Sequence, residues 1–168
     1  MPLRRLAPVA LLMAWACAQA WAQQPAEVLK AQVLVKVLRF VEWPAGALPP
    51  GQPMQVCLAV DSPLAQELGR SAGLDVQGRM LRTRQVPQGV RLPEDCHVGL
   101  VGSSAPPDVA PGVLVVSEEV GALDRGAMLA LLVEDGRVAF DVELEAARRG
   151  GVGFSARLLR LARFVRKD

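Results

Sequence analysis

Gly99-Leu-Val-Gly-Ser-Ser104 is the stretch of this 168-residue chain closest in composition to a phosphate cradle. A P-loop also needs a lysine to reach the phosphates, and a dinucleotide-binding turn needs glycines at fixed spacing; neither is present. The segment therefore reads as the turn at the end of a strand. Ser103, Ser104 and Ser155 are hydroxyls that could serve acyl transfer, and His97, the chain's only histidine, is the only imidazole base available to them. Nucleophilic catalysis needs a base in hydrogen-bond reach and a third group to orient that base. His97 reads as a strand start, so the set does not assemble. Glu118-Glu119 and the pair Asp141 and Glu143 read as solvated or capping positions rather than as catalytic carboxylates. No catalytic residue, metal or cofactor is expected: His97 abuts Cys96 without the spaced ligands that zinc requires.

The cysteines carry different chemistry. Met1-Pro-Leu-Arg-Arg5 opens a run without acidic residues that reaches Ala22 and closes with Ala20-Trp21-Ala22. A cationic start, a short apolar middle and small residues at the end describe a cleavable secretory signal over residues 1–22, leaving a domain of residues 23–168 in the periplasm. Cys17 falls inside the signal, so Cys57 and Cys96 are the cysteines of the exported part. An even count in an oxidising compartment points to a disulfide, with two buried free thiols as the alternative. The whole chain has 19 basic and 17 acidic residues; Arg4 and Arg5 leave with the signal, and the remainder is balanced. That balance removes the electrostatic warrant for nucleic-acid binding.

The elements that must position these residues alternate. A helix is expected from about Ala26 to Glu42, with Leu29, Val33, Val37 and Phe40 on one face, Leu34, Leu38 and Val41 on a second, and Lys30, Lys36, Arg39 and Glu42 wet. Trp43-Pro44 ends it, because proline disfavours helix in the residue before it and cannot donate to the ladder. Trp43 is expected to fold back as a plug on the core. Met54–Val60, His97–Val101 and Val113–Val116 are near-continuous apolar runs, the mark of strands covered on both faces. Asp61 or Ser62 caps a helix begun by Pro63, and Met80–Val86 reads as a strand with Arg82 and Arg84 toward water. Asp135-Gly136 between Met128–Glu134 and Arg137–Leu144 is a tight hairpin, both turn positions needing positive φ. Within it Val138, Phe140 and Val142 should be buried and Ala139, Asp141 and Glu143 should face water.

A last helix is expected from about Phe154 to Val165, with Phe154, Leu158, Leu161 and Val165 forming its stripe. Leu159 and Phe164 fall outside that stripe, and with Arg160 and Arg163 they form the candidate partner or dimer surface. The fold class that results is α/β: a single domain with a central mixed, largely parallel sheet flanked by helices, an antiparallel hairpin toward one edge, and a C-terminal helix.

"LVKVLRFVEWP", "QVCLAVDSPLAQEL", "DCHVGLVG", "VLVVSE", "GAMLALLVEDGRVAFDVELEAAR" and "GFSARLLRLAR" occur in the order seen in the YfiR-like periplasmic family, which the chain resembles over nearly all of its exported part. Phe40, Glu42, Trp43 and Pro44 form the family motif and are read as structural. The resemblance implies an α/β homodimer with a disulfide joining Cys57 to Cys96. It also implies a repressor that binds the periplasmic sensing domain of an inner-membrane diguanylate cyclase and so lowers cyclic di-GMP and biofilm formation. Relief of repression by an OmpA-type outer-membrane lipoprotein is implied as well. This chain departs from the family pattern at Val35-Lys36, where a Tyr-Asn pair is usual, and at Glu143, where Asn commonly follows Phe-Glu-Ile. A periplasmic small-molecule sensor is the alternative reading, with its ligand at the strand carboxyl ends near Val60-Asp61 or Gly102-Ser103.

Overall fold

The structure, a computed structural model, describes residues 24–103 and 109–167. The expected signal at residues 1–22 and Ser104 lie outside the described residues. Helix α1 (Ala26–Val37) starts behind Pro25, which sits at the N-cap. It buries Ala31, Leu34, Val35 and Val37, and a short 3-10 turn, Leu38–Phe40, follows. The helix thus ends before Glu42, and Val41–Glu42 forms strand β1, antiparallel to β9 (Gly153–Phe154). A cross-strand partner far along the chain overrides the helical periodicity here, as tertiary context commonly does. Lys30 is a second correction. It is buried rather than wet, with its ammonium 2.8 Å from Glu118 and 3.2 Å from Glu27, and those carboxylates raise its pKa against the desolvation that would lower it.

The eight-stranded sheet has the order β10-β8-β7-β6-β5-β2-β4-β3. Its central members β2 (Met54–Ala59), β5 (Val98–Val101) and β6 (Leu114–Ser117) run parallel and are buried almost throughout, as continuous apolar runs require. Helix α2 (Pro63–Arg70) has Pro63 in its first turn and is capped by Ser62, whose hydroxyl accepts from the Ala65 amide at 3.2 Å. Strands β3 (Asp75–Val76) and β4 (Arg79–Gln85) close one edge, with Arg82 and Arg84 exposed as the alternation demands. Strands β7 (Leu129–Glu134) and β8 (Arg137–Glu143) form the hairpin, and Asp135 and Gly136 adopt φ of 49° and 72°. Among the described residues no helix is long and apolar enough to cross a membrane.

Two expectations for the last third change. Asp141 and Glu143 are buried, so the outer face of β8 is not solvated at its end. Glu143 also caps α3 (Leu144–Arg149), a short helix the sequence did not signal, by accepting from the Glu145 amide at 3.2 Å. The C-terminal helix α4 spans only Ala156–Leu159, capped by Ser155, and the chain then enters strand β10 (Phe164–Arg166), parallel to β8.

Cys57 on β2 and Cys96, just before the neighbouring strand β5, are disulfide-bonded across a sequence separation of 39. The bridge closes the excursion that contains α2, β3 and β4 into one loop. Beside it, His97 pins a second connection. Its Nδ1 accepts from the Gln55 amide at 2.9 Å, which places the proton on Nε2, and Nε2 donates to the Ala47 carbonyl at 3.0 Å. Burial lowers the His97 pKa, partly offset by its bond to Ala47.

Replacing both cysteines by serine should cost about 4 kcal/mol by the chain-entropy model and lower Tm by roughly 10 °C, measured by thermal unfolding with and without reductant. His97→Phe should cost about 1–3 kcal/mol at pH 8, because a buried N–H and a carbonyl lose their partners. A lowered pKa means the unfolded chain holds more protons below the ordinary value of 6.5, so the stability due to His97 is complete above that pH and is lost as pH falls. Urea midpoints should therefore converge for the two proteins as pH falls below 6.5.

Candidate functional site

Asp141 and Glu143 sit in the ladder of β8 with little access to water, at 7% and 5% exposure. Buried carboxylates demand cations and hydrogen-bond donors. Arg163 supplies both: its Nε is 2.9 Å from one Asp141 oxygen, its Nη2 bonds the other, and its Nη1 lies 3.1 Å from Glu134. Arg166 pairs with Glu143 through Nε and reaches Asp124 at 2.5 Å through Nη1. The bond to Asp141 raises the Arg163 pKa above its already high value, and Asp124, then Glu143, does the same for Arg166.

These pairs explain why the last helix is short. After one turn of α4, the Arg163 amide donates to the Phe140 carbonyl at 2.9 Å and β10 begins in register, Phe164 against Asp141 and Arg166 against Glu143. Continuing the helix would gain only a few tenths of a kcal/mol per residue in propensity, less than the neutralisation of two buried carboxylates.

The stripe therefore divides differently from its helical reading. Phe154 and Leu158 are buried, whereas Leu161 is 64% exposed. Of the four residues assigned to a partner surface, Leu159 is half-buried against the core, Arg160 is exposed, Arg163 is held in its ion pairs, and Phe164 is 53% exposed. Phe164 borders a recess of about 230 Å³ that is also lined by Val120, itself 85% exposed. Asp141, Arg163 and Arg166 line the same recess. One sheet edge thus brings together two exposed apolar side chains and two guanidinium groups fixed by carboxylates, with β10 pairing on one side only.

Sequence reasoning missed Val120, Asp124, Asp141 and Glu143 in this cluster. The signal was there in two acids on one strand and two arginines near the terminus, but a helical reading of the last segment kept them apart.

The other candidates are engaged elsewhere. Trp43 packs on the core and meets the His97 ring edge-on, with centroids 6.4 Å apart, as a plug would. Phe40 lies 5.4 Å beneath the Arg157 guanidinium, and Glu42 is exposed on β1. Pro44 seats against Gly112, at φ 82°, where an added Cβ would come within 3.2 Å of its ring. Both nitrogens of His97 serve the backbone, Ser155 caps α4, and the Ser103 carbonyl accepts from Arg125. Among the described residues, the Ser103 and Ser155 hydroxyls and the His97 imidazole are not brought together into a catalytic arrangement.

None of the curated proteins compared with the chain matches it. The family model described as YfiR/HmsC-like matches residues 27–163, from the first turn of α1 to the arginine that begins the C-terminal clasp. That span is most of the chain and every strand but the last, and the protein belongs to the YfiR/HmsC-like family.

Proposed function

We propose that this protein is a periplasmic regulator that binds the periplasmic sensing domain of an inner-membrane diguanylate cyclase and represses it, lowering cyclic di-GMP and biofilm formation. The family match across the domain carries the reading, because family membership points to a periplasmic regulator of diguanylate cyclase signalling rather than to a catalyst. Repression by contact requires differential binding: the protein must favour the inactive conformation of the cyclase, since equal affinity for both states shifts nothing. The surface assigned to the partner is the β10 edge, where Phe164, Leu161 and Val120 are exposed beside Arg160 and Arg163. Release by an OmpA-type outer-membrane lipoprotein and assembly as a homodimer belong to the same proposal.

A second reading has a specific observation in its favour. An open recess of about 320 Å³ lies at the carboxyl ends of β2 and β5, lined by Ala59, Gln88, Gly89, Val101, Gly102 and Ser103. Parallel sheets bind ligands at this end. A sensor of small molecules would use it without direct repression of a cyclase.

A pull-down from membranes with the exported protein should recover a diguanylate cyclase, and deletion of the protein should raise cyclic di-GMP. Phe164→Asp should weaken capture about tenfold or more while leaving Tm within a few degrees. Met80→Asp, at a side chain 56% exposed on β4, should leave capture unchanged. Unaltered cyclic di-GMP on deletion, together with a ligand-dependent rise in Tm, would favour the sensor.

A further inference from the structure

Lys36 and Arg39 stand one turn apart at the C-terminal end of α1, and both are exposed. Arg157 and Arg160 stand one turn apart on α4 and its C-cap, and both are exposed as well. These helix ends are more than a hundred residues apart in the chain, and the pairing of β1 with β9 brings them together. The Ser155 amide donates to the Phe40 carbonyl at 3.0 Å, directly after Arg39 and two residues before Arg157. The Arg157 guanidinium stands 5.4 Å over the centre of the Phe40 ring, so it rests on the residue that follows Arg39.

Among the described residues, none of these four cations lies within ion-pair distance of a carboxylate. Glu42 is the acidic residue nearest to them in sequence. It lies against Gly153, with Oε2 3.1 Å from the position of an added Cβ there, and it forms no ion pair with any of the four. Arg163 and Arg166, a few residues further on, are by contrast matched by carboxylates of the same molecule. The exported part is balanced in charge, so this group of cations is a local excess on one face. Such an excess is complementary to a surface that carries negative charge.

We propose that this face binds the surface of a bilayer that contains anionic phospholipid. Long exposed cations keep their charged heads in water, and no carboxylate sets the positions of these four. Lipid head groups move laterally and can gather under such charges, whereas an acidic protein surface has to place its carboxylates opposite them in advance. Each basic residue held near an anionic bilayer strengthens binding about fivefold. Leu161, 64% exposed and next to Arg160, adds an apolar side chain that can enter the head-group boundary. Arg160 also borders the β10 edge, so a molecule lying on the bilayer presents Phe164 beside the membrane, where the periplasmic domain of a membrane-bound partner stands. That last consequence rests on the regulatory reading; lipid binding does not.

The test is co-sedimentation of the purified exported protein with vesicles of phosphatidylcholine, alone or mixed with phosphatidylglycerol. The protein should sediment with the mixed vesicles, stay in solution with phosphatidylcholine alone, and be released as salt rises. Arg157→Gln with Arg160→Gln should weaken binding about twentyfold, whereas Arg157→Lys with Arg160→Lys, which keeps the charges, should retain it. Arg82→Gln with Arg91→Gln removes the same charge from exposed positions on β4 and in the connection before β5, and should bind as the unaltered chain does. Equal sedimentation with both kinds of vesicle, or none with either, overturns the proposal. An equal loss in the two glutamine pairs overturns it too, because net charge and not this face would then be responsible. If the mixed vesicles are not bound while the Arg157 and Arg160 pair is needed to capture a cyclase, the face serves an acidic protein and the proposal falls. The vesicles hold no cyclase and the lipid comparison uses the unaltered chain, so the result stands apart from the regulatory reading and from the folding of the variants.

Discussion

The three central strands have no polar face, and this governs the rest of the architecture. Every residue of β5 and β6 is buried, as is all of β2 but Gln55, so both sides of the sheet must be covered by elements that bring their own apolar surface. Helix α1 packs on α2 and on the β7–β8 hairpin, while Leu92 from the connection before β5 lies directly against Gly99, where no side chain competes for the space. A fully buried leucine stabilises by about 1.5–3 kcal/mol, so the cover is favourable in itself. Its cost is that the polar groups which travel with it must be satisfied locally. Lys30 is the clearest case: its stem lies in the core-facing part of α1, and its ammonium is held between Glu118 and Glu27.

The same requirement at the sheet edge produces the arginine clasp. Parallel pairing of β10 with β8 places a three-residue strand over Asp141–Glu143, and so short a ladder contributes little alone. Neutralising Asp141 and Glu143 makes the pairing necessary, since a buried carboxylate that loses its cation is strongly destabilising. Glu143 and Arg166 are thus two ends of one interaction.

Legibility from sequence followed the range of the interaction. The Asp135-Gly136 turn, the Ser62-Pro63 helix start and the buried strands were readable because their causes lie within a few residues: positive φ, a cap, an unbroken apolar run. The ends of α1 and α4 were misread because their causes are distant. Val41–Glu42 becomes a strand only because Gly153–Phe154 is beside it, and Arg163 leaves the helix only because Asp141 waits on β8. Lys30 looked wet because its partner Glu118 is 88 residues away. Within the candidate surface, Phe164 could be singled out as off-stripe, but Val120 follows from no periodicity, since it stands in a connection.

The clasp also bears on how such a surface could act by contact. A free arginine loses rotamer entropy when a partner immobilises it, which subtracts from affinity. Arg163 and Arg166 have already made that sacrifice within the fold, so Phe164 is presented between charges whose positions are fixed before any encounter. Because each guanidinium is matched by carboxylates of the same molecule, long-range attraction to an acidic partner is weak. Recognition then depends on fit at short range. For a regulator whose effect depends on preferring one conformation of its partner over another, a rigid surface with locally balanced charge discriminates shape better than a mobile and strongly charged one, which would adapt to either state and shift neither.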